Sequence, residues 1–136
     1  MPPLLEVRHL NLHYRAGDRI IRAVDDVSFT IAGKGQALGL VGESGSGKSS
    51  LANALMRMTP KNTARFDGEI LLDGRDLRAM SDEQFRREIR WRKIAMVFQG
   101  AMNVLNPVLK IGLQVAEPLL TERGTNKEQA LRRARE

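Results

Sequence analysis

A mixed α/β fold, with an antiparallel β front and a strand–loop–helix core, is predicted by three observations. Apolar residues alternate loosely with polar ones over residues 4–14 and recur over 20–31. The short apolar run Ala37-Leu38-Gly39-Leu40-Val41 feeds into the glycine-rich stretch Gly42-Glu43-Ser44-Gly45-Ser46-Gly47-Lys48-Ser49. Beyond it Leu51, Ala54, Leu55 and Met58 recur at helical spacing. A period of two marks a half-buried strand, a continuous apolar run a strand covered on both faces, and the i, i+3, i+4, i+7 pattern an amphipathic helix.

In chain order, Leu5, Val7, Leu10, Leu12 and Tyr14 define a first strand, followed by a turn at Ala16-Gly17-Asp18. Residues 20–31 suggest one or two further strands broken near Asp25-Asp26, and Ala32-Gly33-Lys34-Gly35 is another turn. The run 37–41 is expected as a buried strand, and the helix after the loop from about Lys48 to Thr59, stopped by Pro60. A short strand over 69–73 ends at Gly74. Ser81-Asp82-Glu83-Gln84 resembles a capping box that opens a helix through about Arg92, and Ile94-Ala95-Met96-Val97-Phe98 has the composition of a second buried strand. Asn106-Pro107 marks a turn, Ile111 to Leu120 is partly helical in pattern despite Pro118, and Thr125-Asn126-Lys127-Glu128 suggests a second capping box.

The stretch 42–49 fits G-x-x-x-x-G-K-[ST], the phosphate-binding loop, in the strand-before, helix-after context that the motif requires. Gly42, Gly45 and Gly47 allow the backbone to curl so that successive N–H groups converge on phosphate oxygens. Because the loop opens a helix, the unpaired first-turn N–H groups and the positive end of the dipole add to that cradle. Lys48 then places its charge on the β- and γ-phosphates, and the Ser49 hydroxyl is suited to Mg²⁺. Ser50, the next residue, is grouped with the nucleotide-binding set.

The 136 residues are 42% hydrophobic, enough for one core of moderate size, so one domain is the default. No apolar run reaches the length of a membrane span, and Met1-Pro2-Pro3-Leu4-Leu5-Glu6 lacks the features of a signal peptide, so an intracellular, soluble chain is expected. With no cysteine there is no disulfide, thiolate metal site or cysteine nucleophile. A net charge of +6 and a pI near 10.3 call for an acidic partner: a nucleotide, a nucleic acid or an anionic membrane face. Much of the excess sits at Arg86, Arg87, Arg90, Arg92 and Lys93, and at Arg132, Arg133 and Arg135, which are simplest to read as solvated helix faces.

The order of features then resembles a known family. Tyr14 at the end of the first strand, the phosphate loop, "GEILLDGRDL", "RKIAMVFQ" and "LNPVLKIG" are similar to the amino-terminal part of an ATP-binding-cassette (ABC) ATPase, a P-loop NTPase with an antiparallel β subdomain. Within that family the chain is most similar to the ATP-binding subunits of oligopeptide and dipeptide importers. Gly100-Ala101 stand where those subunits commonly carry an acidic residue and proline.

The resemblance implies that Gly42, Glu43, Ser44, Gly45, Ser46, Gly47, Lys48, Ser49 and Ser50 hold ATP, and that Tyr14 stacks on adenine. It implies that Gln99 contacts Mg²⁺ or its water beside Ser49, and that Lys48 and Gln99 serve catalysis. Residues 1–98 would form the antiparallel β and P-loop core; 99–136 would form the Q-loop and the start of a helical subdomain that the chain does not complete. The implied partners are integral-membrane permease subunits and a second nucleotide-binding domain, as a homo- or heterodimer. No nucleic acid is expected, and the implied location is cytoplasmic, peripheral on the inner face of the cell membrane.

No Leu-Ser-Gly-Gly-Gln-like signature, Walker B glutamate or switch histidine is found in the sequence. The chain by itself is therefore expected to bind ATP·Mg²⁺ weakly, to hydrolyse it at or near background, and to expose apolar surface around 37–41. The alternatives are a stand-alone non-catalytic nucleotide-binding or regulatory module and a nucleic-acid-linked ABC ATPase. Asp73 imitates a Walker B aspartate but is followed by Gly74-Arg75, which fits a strand and turn; His9 and His13 are expected to be ordinary strand histidines.

Overall fold

Strand β1 (Leu5–Ala16) turns at Gly17-Asp18 into β2 (Arg19–Ile31), and both pair antiparallel within a four-stranded sheet of order β2-β1-β3-β4. Strand β3 (Thr63–Leu72) lies on the other side of β1, and β4 (Arg75–Asp76) closes a tight hairpin with it. The computed structural model describes residues 2–98, 100, 105–120 and 125–135. The chain divides into two compact units, Met1–Met96 and Val97–Glu136.

In the first unit, helix α1 (Lys48–Leu55) packs Leu51 and Ala54 into a core with Val7, Leu10 and Leu12 of β1, Val24 of β2 and Ile70 of β3. Helix α2 (Asp82–Glu88) adds Phe85, and Ile89 follows it. Ser81 opens α2 with a full capping box: its side chain accepts from the Gln84 N–H and the Gln84 side chain accepts from the Ser81 N–H, as the sequence suggests.

The expected break near Asp25-Asp26 is a bulge within one continuous strand. His9 on β1 has φ +48, Asp26 on β2 +52 and Gly68 on β3 +103, and the register shifts across β1 at this level. Asn11, only 7% exposed, ties the three strands together. Its Nδ2 donates to His9 O at 2.8 Å and Asp67 Oδ1 at 2.8 Å, and its Oδ1 accepts the Asp26 N–H at 2.9 Å. A single carboxamide thus serves backbone groups that the bulge removes from the ladder.

Five expectations are corrected. Residues 37–41 form no strand; the apolar exposure expected there is present, Val41 being 96% exposed. An extended segment becomes a strand only when its N–H and C=O groups find a ladder, and among the described residues no strand pairs with it. For the same reason 94–98 is irregular, apart from an isolated bridge between Arg90 and Ile94. Helix α1 stops at Leu55 instead of Thr59 because Arg57 adopts φ +52, and α2 stops at Glu88 instead of Arg92 in a turn with Trp91 at φ +66. The last capping box is Asn126 with Gln129, one residue later than expected, asparagine being a stronger N-cap than threonine.

The second unit pairs α3 (Ile111–Leu120), with Pro118 inside it, and α4 (Lys127–Arg133), each burying an alanine, Ala116 and Ala130. Gln114 anchors the preceding turn: its Oε1 accepts the Asn106 N–H at 2.7 Å, and its Nε2 donates to Asn106 O and Leu109 O, both at 3.0 Å.

At Gly68 a Cβ would lie 2.5 Å from His9 O and 2.6 Å from Leu10 Cα, both backbone. Gly68→Ala is therefore expected to cost about 2 kcal/mol or more; an unchanged denaturant midpoint would contradict this. The bond from His13 holds the Asp25 carboxyl below the usual range, and Arg65, then Asn11, do the same for Asp67. Such groups stabilise the fold above the unfolded carboxylate pKa of about 4, and the contribution disappears as pH falls through their lowered folded values. Melting curves from pH 7 to pH 2 should show this acid limb, and Asp25→Asn should shorten it.

Candidate nucleotide-binding site

The loop between Val41 and α1 wraps around the ammonium group of Lys48. Its Nζ donates to Gly42 O at 2.7 Å, Glu43 O at 2.6 Å and Ser46 Oγ at 3.1 Å, which uses all three of its hydrogens. A turn bond from the Ser46 N–H to Glu43 O at 3.2 Å rounds the loop. Gly45 sits at φ +82, a left-handed conformation that favours glycine, with open space where a Cβ would be.

Gly47 is the N-cap of α1, at φ +94 and ψ 1. A Cβ on it would stand 2.0 Å from the Ala23 carbonyl oxygen, so the loop rests directly on the backbone of β2. Only glycine meets both the left-handed conformation and that close approach.

Electrostatically, the start of α1 differs from the other capped helices. Helices α2 and α4 carry capping boxes and acidic residues in their first turns, Asp82 and Glu83 in one and Glu128 in the other. Helix α1 has neither a side-chain cap nor an acidic residue there. The N–H groups of Lys48, Ser49 and Ser50 thus end the helix dipole uncompensated beside an ammonium and several hydroxyls, a donor set suited to a polyphosphate. Bare glycine backbone, first-turn N–H groups and Lys48 together fit the phosphates of a nucleotide.

Residues 24–135 match the model of the family described as "ABC transporter". The chain belongs to that family. It is 44% identical over 136 residues to the dipeptide transport ATP-binding protein DppD of Lactococcus lactis subsp. cremoris, covering 98% of this chain and 38% of that protein. It is 39% identical over 130 residues to the oligopeptide transport ATP-binding protein OppD of Haemophilus influenzae, covering 96% of this chain and 39% of that protein. An ATP-binding cassette solved as a dimer in a post-hydrolysis state with ADP and Pi matches with a TM-score of 0.72 and 26% identity, over 96% of this chain and 53% of that one. This ABC chain therefore spans about 39% of the length of the curated relatives it matches, and its fold class is that of the P-loop NTPase cassettes.

Of the residues the sequence singled out, this ABC chain brings Gly42 to Ser50 together in one loop and first helical turn. Tyr14 lies on β1 between Ile21 of β2 and Thr63 of β3, partly buried against the core cluster. Gln99 lies outside the described residues. Asp73 occupies the β3–β4 turn at φ +51 and donates its N–H to Leu4 O at 3.0 Å, which is a turn role. His9 Nδ1 bonds Asp26 Oδ1 at 2.7 Å and His13 Nε2 bonds Asp25 Oδ1 at 3.1 Å, and no cluster of metal-ligand side chains occurs among the described residues. Sequence reasoning missed Ala23, whose contribution is a carbonyl, and Arg57, whose left-handed backbone has no local signal.

Gly47→Ala is expected to lose about 2 kcal/mol or more, since both its φ and its contact with Ala23 are violated. Equilibrium denaturation would reveal a wild-type midpoint if the loop were not seated on β2.

Proposed function

We propose that this chain is the nucleotide-binding front part of the ATP-binding subunit of an ABC importer for peptides, and that it binds ATP with Mg²⁺ at Gly42–Ser50. The observation that carries the reading is the Lys48 ammonium held inside a glycine loop at the uncapped start of α1. In this reading Lys48 exchanges its carbonyl partners for phosphate oxygens, while the N–H groups of the first turn share the remaining charge. The Ser49 hydroxyl would be a ligand to Mg²⁺, which when bound would supply positive charge against the phosphates. Tyr14 offers a π-face to adenine, and Gln99 senses the metal or its water through a neutral carboxamide.

The peptide cargo is supported by the names of the relatives in Lactococcus and Haemophilus. Transport would require permease subunits at the inner face of the cell membrane and a second nucleotide-binding domain, in line with the dimeric cassette among the similar structures. ATP turnover belongs to that assembly; this chain by itself binds ATP and hydrolyses it at or near background, because Lys48 and the loop supply charge stabilisation without the groups that position the attacking water.

Calorimetry of the chain with ATP and Mg²⁺ should show one site, weakened about tenfold or more by Lys48→Ala, a loss of about 1.4 kcal/mol or more. Phosphate release should stay at background. Equal affinity in Lys48→Ala would overturn the site, and turnover abolished by Lys48→Ala would overturn the inactivity of the lone chain.

A further inference from the structure

Helix α1 has the phosphate loop at its start and a pair of arginines at its end. Arg57, at φ +52, donates from Nη1 to Leu77 O at 3.2 Å and Met80 O at 2.8 Å, and from Nη2 to Asp82 Oδ1 at 2.6 Å. Its Cζ lies 5.1 Å from the centroid of the buried Phe85 ring. Arg90 comes to the same ring at 5.6 Å and donates from Nη2 to the carbonyl of Met56, the C-cap residue of α1, at 3.1 Å. A left-handed arginine persists only where its surroundings over-determine it, and here three acceptors and a ring do so.

Arg90 is also held through its backbone. It bridges to Ile94, the Trp91 N–H donates to Ile94 O at 2.8 Å, and Ile89 O accepts from the N–H groups of Arg92, Lys93 and Ile94. One side chain therefore joins the C-cap carbonyl of α1 to the hydrogen-bonded turn over 89–94. Its Nε is buried without a partner, and two like charges share one ring, so the arrangement is not the most stable way to fill this space. Arg90 thus gives the end of α1 and the turn a direct side-chain contact.

We propose that Arg57, Phe85 and Arg90 form a staple that carries the nucleotide state of the loop along α1 to the turn 89–94, with Arg90 as its positioning residue. The proposal rests on nucleotide binding at Gly42–Ser50.

Trp91, the single tryptophan of the chain and 60% exposed, follows Arg90 directly and reports on the turn. In the unaltered chain, saturating ATP with Mg²⁺ should change Trp91 emission. Arg90→Met keeps the apolar stem against Phe85 but removes charge and donors; it should bind ATP within about threefold by calorimetry while its emission change falls about fivefold or more. Arg90→Lys, which retains a donor for Met56 O and a cation near the ring, should keep about half of the amplitude or more. Circular dichroism checks folding, and if Arg90→Met does not fold, Arg57→Lys carries the same expectation of a reduced response. ATP binding with a silent Trp91 in the unaltered chain, or an undiminished response in the folded variants, would overturn the staple. No heat of ATP binding to the unaltered chain would overturn the nucleotide reading itself.

Discussion

The seating of Gly47 on the Ala23 carbonyl is the contact on which the site depends. It fixes where α1 begins, because the N-cap can only lie where the β2 backbone leaves room for a residue without a side chain. That placement sets the direction of the helix dipole and, through Lys48, the curvature of the loop. The antiparallel sheet is thus the platform of the phosphate loop as well as the source of the core beneath it. Leu51 and Ala54 hold α1 down on the same side from which Val24 rises, so loop and core share one strand.

The loop was legible because its chemistry is local. Glycine where φ must be positive, a lysine whose stem reaches back six residues to Gly42, and a helix pattern after it are all written within one short stretch. The Ser81 capping box was legible for the same reason. What failed were features decided elsewhere in the chain. Residues 37–41 have the composition of a central strand, yet composition cannot supply ladder partners. The bulge level through His9, Asp26 and Gly68 needs three strands at once, and only its weakest sign, the polar pair Asp25-Asp26, shows in the sequence. At Thr125-Asn126 two adjacent residues could each cap the helix, and the carboxamide won.

The basic composition also looks different once placed. The cluster at 86–93 is not a uniform solvated face: Arg87 pairs with Glu83, while Arg90 turns inward over Phe85. Elsewhere Arg8 bridges Glu6 and Glu69, and Arg75 meets Glu88. Exposed pairs such as these add little stability, but each sets an acidic group beside a basic one and lowers the local excess of charge. A net count also cannot locate the group formed by Lys48 and the first turn of α1, which carries no acidic residue.

The bulge at Asp26 has one more effect. Among the described strands β2 lies at one margin of the sheet, where a row of unpaired N–H and C=O groups would ordinarily invite a strand from another molecule. Left-handed Asp26 and the register shifts beside it bend that margin, Arg19 and Arg22 place charge along it, and at the opposite margin β4 offers only two residues. The sheet is thereby poorly shaped for edge-to-edge growth between molecules.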